Sequence, residues 1–490
     1  MPHVANHRGN GRIPAPRTSH PDAGERAILY GLADKPPLPT AIVLALQHVL
    51  TMFGSTVAVP LLLGPAMGMD DRQIALLISS VMLCSGVATL LQTTLGSRLP
   101  IIQGVSFSFL AAFFAIIAKV TAPEADDGFG GDGPMAMQFI AGAIIAGALF
   151  EIAIGFSGLM GLVREILSPV TVGPVIMLIG LALYQAGAPV AASHWPISIL
   201  TMGLIILFAL VLSRTSTLFR MYPLLLAIVA ATGVCYALTT TDYWPTDSPA
   251  RVEFDAVAQS EWVRTTNVIL PWGPPKFAVA FIVAALAGYL ASMIESFGDY
   301  HACKNLAGGG DPTPQEISRG IGFEGVGCAL TGLFGGFSST SYSENIGLVG
   351  LTKVGSRHVV QIGAVILILL GLFGKFGAVA AAIPKPVVGG LYCALFGLIS
   401  AVGVRQFAKC DLNSDRNLFI GGFALFMGLS VPAWFGSQAG QDAMTALNGK
   451  LPGAGDILGS IGNTGMAVAA IVGITLDNLI TGTADQRALV

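Results

Sequence analysis

Apolar stretches recur along the chain from residue 40 to residue 482, each closed off by a few polar or basic residues. They fall at about 40–62, 73–94, 99–118, 136–158, 166–187, 195–213, 221–239, 276–300, 318–335, 338–354, 358–380, 386–404, 417–434 and 463–482. A helix needs roughly 20 residues to cross the hydrocarbon core, so the pattern predicts an all-α membrane protein of about fourteen spans. Two of the segments are too broken to be plain helices. The third opens with Gly104-Val105-Ser106-Phe107-Ser108-Phe109 and the tenth with Ser339-Thr340-Ser341-Tyr342-Ser343. Both alternate small polar residues with aromatic or branched ones at period two, which is a strand signal.

The longest loop between spans, 241–274, splits the set seven and seven. An odd number of spans per half turns the second copy upside down, the inverted repeat of many secondary transporters. The expected organisation is a disordered tail over 1–38, a first repeat over 39–240, the loop, a second repeat over 275–482 and a terminal segment over 483–490. Under this repeat the third and tenth segments are partners. Two short strands inside a bilayer satisfy their backbone only by pairing with each other, antiparallel, each followed by a half-helix. A serine-rich, kinked helix fits the same residues.

Charge sets the orientation. With the N-terminus inside, the cytosolic loops hold Arg98, Arg164, Arg214, Arg220, Lys304, Arg319, Lys353, Arg357, Arg405, Lys409 and Arg416. The opposite side holds Asp126, Asp127, Asp132, Asp242, Asp247, Glu253, Asp255 and Glu261. Basic loops on one side place both termini in the cytosol of a cell-membrane protein. Only 11% of the residues are charged, too few to solvate a soluble domain of this length. The six cysteines form no CxxC pair and read as packing residues. No P-loop and no HExxH is present. ATP-driven pumping and membrane enzymology are therefore disfavoured, and no cofactor is expected beyond a coupling ion.

Carboxylates inside spans are costly, so each needs a task. Candidates are Glu151, Glu295, Asp299, Glu324 and Glu344. Glu295 and Asp299 are four residues apart, on one helical face with Gly288 and Ser292. Glu344 sits where strand gives way to helix, beside free backbone N–H groups. Two carboxylates facing one site can grip a ring that carries adjacent N–H and C=O groups, and one can exchange a proton. Asp299 is either a strut or an ion ligand. Glu151 and Glu324 lack polar neighbours at helical spacing and read as structural. Gln47 and His48 form a polar pair in the first span, which serves as a hydrogen-bonded strut or a shuttle. Phe107 is placed to stack on a planar ring.

The stretch from Ser343 to Lys353, SENIGLVGLTK, resembles the signature of the nucleobase–ascorbate transporter family. That signature is Gln, Glu or Pro, then Asn, any residue, Gly, four variable residues, Thr and a basic residue or Gly. The Gln47-His48 pair and the string Glu295-Ser296-Phe297-Gly298-Asp299 are further family marks. Strings such as ESFGDYHA (from Glu295), TKVGSR (from Thr352), NSDRNLF (from Asn413) and LDN (from Leu476) look closest to the animal branch of sodium-dependent vitamin C and nucleobase transporters.

The resemblance implies fourteen spans in two inverted halves, a core and a gate domain moving as an elevator, and a homodimer. It implies substrate contacts from Glu295, Glu344, Phe107, Tyr342 and Ser343. Asp299, His48, Asn345, Gln47 and Ser106 are implied in coupling or in shaping the site, with a sodium ion possible near Asp299. Position 344 marks a departure. Vitamin C carriers of this branch have proline there, xanthine and urate carriers glutamine, and uracil or broad nucleobase carriers glutamate. A carboxylate accepts from ring N–H groups but repels anionic ascorbate. The expected activity is ion-coupled uptake of a nucleobase, uracil or xanthine preferred, with a proton favoured over sodium. Sodium-coupled ascorbate or urate transport is the alternative and a channel a more distant one. An anion carrier of the same fold is expected to append a soluble domain, whereas this chain stops about eight residues past its last span.

Overall fold

The structure, a computed structural model, describes residues 28–123, 128–480, 482–484 and 486–488, apart from the side chains of residues 164, 185 and 186. Residues 1–27 of the expected tail, Asp126, Asp127, the Arg164 side chain, and residues 485, 489 and 490 of the expected terminal segment lie outside this set.

The first half forms α1 (Leu38–Ala66), α2 (Asp71–Thr94), β1 (Gln103–Val105), α3 (Leu110–Thr121), α4 (Gly133–Ser157), α5 (Met160–Ile166), α6 (Pro169–Ala182), α7 (Tyr184–Ala191), α8 (Trp195–Ile206), α9 (Thr217–Met221) and α10 (Pro223–Thr240). A short α11 (Asp255–Gln259) lies in the central loop. The second half forms α12 (Val279–Leu306), α13 (Pro314–Leu333), β2 (Ser339–Ser341), α14 (Ser343–Thr352), α15 (Arg357–Leu372), α16 (Gly374–Ala381), α17 (Lys385–Phe407), α18 (Asp415–Phe435), α19 (Gln438–Lys450), α20 (Ala454–Asn463) and α21 (Gly465–Leu479).

Local sequence explains the ends. Helices α2 and α13 open on capping boxes, Asp70 with Gln73 and Thr313 with Glu316. Each box satisfies two of the N–H groups that a helix start leaves without partners. Helix α4 starts on Asp132, whose side chain accepts from Met135 N–H, and ends at Gly158, whose φ of 76° is the left-handed stop that glycine provides.

Among the described residues, eight helical runs are long and apolar enough to cross a membrane. One of them, Pro169–Arg214, is a 46-residue run that takes in both the fifth and the sixth expected segments. The other expected segments are shorter or broken. The third and tenth are each a three-residue strand followed by helical structure. Helix α13 carries Glu316, Arg319 and Glu324 along its length. The eleventh divides between α15 and α16, and in the last α20 meets α21 at 88°.

The strands pair antiparallel, Gln103 opposite Ser341, Gly104 opposite Thr340 and Val105 opposite Ser339. They are shorter than the alternation predicts, because residues 107–109 coil into a 3-10 turn. Phe107 is therefore on that turn and not on the strand.

The inverted repeat shows in which helices exchange partners. Helix α4 packs most closely on α13, and its counterpart α15 packs on α2, the counterpart of α13. Likewise α6 packs on α17, its own counterpart, and β1 on β2. Two bundles result. Helices α1–α4 and α12–α16 surround the strands, α6–α10 and α17–α21 form the second bundle, and contacts between bundles are few. These correspond to the expected core and gate.

Residues 28–38, expected to belong to a disordered tail, are docked. Leu29 N–H donates to Lys353 O (2.9 Å), Gly355 N–H to Tyr30 O (2.7 Å), and Tyr30 bridges Val354 in parallel. Ile28 and Leu32 lie over Gly308 and Gly309, and those apolar contacts hold a segment whose polar composition had concealed them.

Close packing inside the first bundle rests on glycine. A Cβ on Gly155 of α4 lands 2.2 Å from Gly322 N of α13, a backbone contact that no rotamer change relieves. Gly155→Leu is predicted to destabilise the protein by about 2–3 kcal/mol through overpacking. Gly203→Leu, at a site with nothing within 4 Å, serves as the control. Thermal unfolding of the two variants in detergent checks this, and equal melting temperatures contradict it.

Candidate functional site

The chain leaves β2 at Tyr342 and enters α14 at once, so Ser343, Glu344 and Asn345 occupy its first turn with no side-chain cap. Helix α12 runs alongside. Glu295 is half-buried and makes no hydrogen bond among the described residues. Its carboxylate lies within Coulombic range of Asp299, Glu344 and Glu324. Glu344 is exposed and accepts from Ser55 Oγ of α1 at 3.4 Å, a long contact. One helical step beyond each glutamate stands a glycine with open space beside it, Gly298 on α12 and Gly347 on α14. The two carboxylates, on α12 and α14, are thus within Coulombic range of each other, each on a helix with an uncrowded glycine three residues further on. Both come from the second repeat, and the first supplies Ser55 and Phe107. Phe107 is half-buried and packs on the edge of the main core.

The neighbouring acids are bound up in the fold. Asp299 is 8% exposed and accepts from Ser341 Oγ (2.7 Å) and Ser343 Oγ (2.8 Å). It ties α12 to β2 and to the start of α14. Glu324 of α13 is buried and accepts from Ser292 Oγ (3.0 Å), Ser296 Oγ (2.8 Å) and Tyr300 OH (2.8 Å). Tyr300 in turn accepts from Gln92 Nε2 at 2.5 Å, and Ser296 lies 2.9 Å from Ser341 Oγ. A single polar chain therefore runs from α2 through Tyr300, Glu324 and Ser296 to β2 and Asp299.

The remaining candidates divide. Asn345 Nδ2 donates to His48 O (2.9 Å) and lies 3.2 Å from His48 Nδ1, locking α14 to α1. Gln47 is outside this contact, and its Oε1 has no partner. Ser106 Oγ accepts from Ser108 N–H (3.3 Å) and starts the 3-10 turn that carries Phe107. Tyr342 is 4% exposed, donates to Val105 O (3.0 Å) and accepts from Thr56 Oγ1 (3.2 Å), with its ring across Gly104. Its side chain belongs to the packing beneath the strands.

A permease family model, Xan_ur_permease, matches residues 39–437. Solute carrier family 23 member 1 of Rattus norvegicus is 39% identical over 94% of this chain and 82% of its own length. The chain belongs to the nucleobase–ascorbate transporter family. Nucleobase-ascorbate transporter 2 of Arabidopsis thaliana is 34% identical, over 94% of this chain and 90% of that protein. Two solved structures share the fold. The murine Solute Carrier 26 family member A9 anion transporter gives a TM-score of 0.64 at 11% identity, covering 91% of this chain and 69% of that one. The transmembrane domain of the cyanobacterial bicarbonate transporter BicA gives 0.53 at 15% identity, covering 88% and 99%. The chain is thus a multi-pass membrane transporter and not an enzyme.

Within this transporter one feature departs from expectation: Gly288 does not continue a polar stripe, since a Cβ there lands 2.6 Å from the Phe109 ring. Glu324, without polar neighbours at helical spacing on α13, has the structural place expected of it and takes its donors from α12. Ser292, Ser296 and Tyr300, at i, i+4 and i+8 of α12, were the signal that a carboxylate on a facing helix was being received. Glu151 is fully buried on α4, within Coulombic range of Glu324, and neither of its oxygens has a hydrogen-bond partner. Among the described residues, no group of three or more His, Cys, Asp or Glu is placed to hold a metal ion.

Removing Glu324 leaves three buried hydroxyls without their acceptor, which is costlier than losing one bond. Glu324→Ala is predicted to cost about 2–4 kcal/mol, and Glu324→Gln to recover more than half of it. Unfolding midpoints of the two variants decide the matter. An alanine variant as stable as the parent contradicts the network.

Proposed function

We propose that this transporter is an ion-coupled secondary carrier that takes up a nucleobase, with uracil or xanthine preferred. The observation that supports it most is the proximity of Glu295 and Glu344, on α12 and α14, while Asp299 and Glu324 are already engaged by hydroxyls. Ring N–H groups of a nucleobase match carboxylate acceptors, and Phe107 offers an aromatic face from the first repeat. Glu295, with no hydrogen-bond partner of its own among the described residues, is the group free to exchange a proton as the base binds and leaves. Asp299, between two hydroxyls, positions the first turn of α14 against α12. The alternative coupling ion, sodium, belongs near Asp299 if uptake follows its gradient.

Alternating access is proposed to come from the first bundle sliding as a unit against the second, in a homodimer. The few contacts between bundles favour that motion over rearrangement within either one. The ordering of basic loops on one face favours cytosolic termini in the cell membrane.

Uptake into vesicles of radiolabelled uracil, xanthine, urate and ascorbate tests the reading, under imposed proton and sodium gradients. Uracil or xanthine is expected to be taken up and to show counterflow, which a channel does not. Glu295→Ala is expected to lower uptake by at least about 100-fold, because an unmatched buried ring N–H costs about 3 kcal/mol, with the melting temperature unchanged. Glu344→Gln is expected to shift preference toward xanthine or urate, and Glu344→Pro to abolish base uptake. Ascorbate uptake that no base competes with sinks the substrate assignment. Uptake that follows only the sodium gradient sinks the proton assignment.

A further inference from the structure

Away from the two carboxylates, a groove of about 370 Å³ opens on the surface of the first bundle, between the start of α1, the end of α2 and the start of α15. Its lining changes character along its length. Lys35, just before α1, and His358, in the first turn of α15, stand at the helix ends. Leu90, Ile362 and Val365 lie about one to two turns deeper into the bundle, flanked by Leu38. Leu38 is 65% exposed and Val365 47% exposed, so the apolar part faces outward.

Lys35 and Arg98 form no ion pair among the described residues. Arg98 Nε donates to Thr94 O (3.0 Å), which keeps its guanidinium at the end of the helix that carries Leu90. The Asp34 carboxylate beside Lys35 is held by Gly31 N–H (2.7 Å). Helix α15 starts without a side-chain cap, because the Ser356 hydroxyl donates to Asp34 O (2.5 Å). A 16-residue helix without a side-chain cap, whose Arg357 N–H donates to Leu32 O (3.2 Å), and a lysine without an ion pair among the described residues thus meet at the head of an apolar groove.

From this we infer a binding site for an anionic glycerophospholipid of the leaflet on the basic-loop side. Its phosphate sits between Lys35 and the start of α15, and one acyl chain lies along Leu90, Ile362 and Val365. Charge complementarity selects the head group, since each basic residue near a membrane surface attracts anionic lipid and a helix N-terminus favours phosphate. The apolar floor requires a chain that free phosphate does not have. A lipid there joins α1, α2 and α15 at the same corner where the docked segment 28–38 meets the end of α14, so it braces the first bundle.

The test uses the full chain, purified and stripped of lipid in detergent. Melting temperature is titrated with phosphatidylglycerol, with phosphatidylcholine and with inorganic phosphate, and retained lipids are identified by native mass spectrometry. Phosphatidylglycerol is expected to bind about tenfold more tightly than phosphatidylcholine, the effect of one to two basic contacts. Lys35→Glu, which reverses the head-group charge, and Val365→Trp, which fills the exposed groove, are each expected to reduce that ratio to near one. Their melting temperatures in phosphatidylcholine should match the parent. Equal affinity for the two lipids, a ratio that survives both substitutions, or full stabilisation by inorganic phosphate alone each overturns the site.

Discussion

A polypeptide that stops partway across a bilayer must find partners there for its backbone, because lipid provides none and each unmet group costs several kcal/mol. Here two segments, one from each repeat, stop together and answer each other in a three-residue antiparallel ladder, Gln103–Val105 with Ser339–Ser341. Much of the site's geometry follows from that ladder. It delivers the hydroxyls of Ser341 and Ser343 to Asp299, it begins α14 with Glu344 in the first turn, and it begins the turn that carries Phe107. Gly104 has to be glycine, since the Tyr342 ring passes where a Cβ would stand, 2.4 Å from it. The ladder is held from both sides, by Thr89 against Gln103 and by Ser296 against Ser341.

Four acids cluster around this ladder, and the fold treats them unequally. Glu324 receives three hydroxyls and Asp299 two, enough acceptor contacts to hold each side chain in one position. Among the described residues, Glu344 accepts one long contact from another side chain and Glu295 none. A buried acid that already has its donors gains little from a ligand, whereas one without them gains a full hydrogen bond. The unequal satisfaction leaves Glu295 and Glu344 as the two acids of the four with the fewest donors inside the fold.

Much of this was legible before any coordinates. Period-two alternation at Gly104–Phe109 and Ser339–Ser343 located both strands, although the ladder is shorter because Phe107 to Phe109 follow helical geometry instead. Spacing alone singled out Glu295 and Asp299, yet it left Asp299 between a strut and an ion ligand. Four residues on a helix share a face, but which neighbour lies opposite each is a tertiary fact, and Asp299 met serines while Glu295 met space. Glu324 was read as structural, which it is, but its donors could not be named because they are on another helix. The tail was misjudged at residues 28–38 because the docking uses backbone groups, Leu29 N–H and Tyr30 O among them, that no composition reveals.

The glycines set how tightly the first bundle is packed. Within it, Gly155 meets Gly322, Gly86 meets the Ala364 carbonyl and Gly371 meets Leu83, contacts that leave no room for a side chain. Close approach of small residues is the principal attraction between helices in lipid, where no hydrophobic effect separates them from their solvent. Between the bundles such contacts are sparse, and α12 touches the second bundle mainly through α20, a short amphipathic helix bent 88° from α21. Packing is therefore tight inside the first bundle and loose at its border. The ladder, the serine–acid network and the His48–Asn345 lock all lie within the first bundle, so the tight packing of its helices is also what fixes them relative to one another.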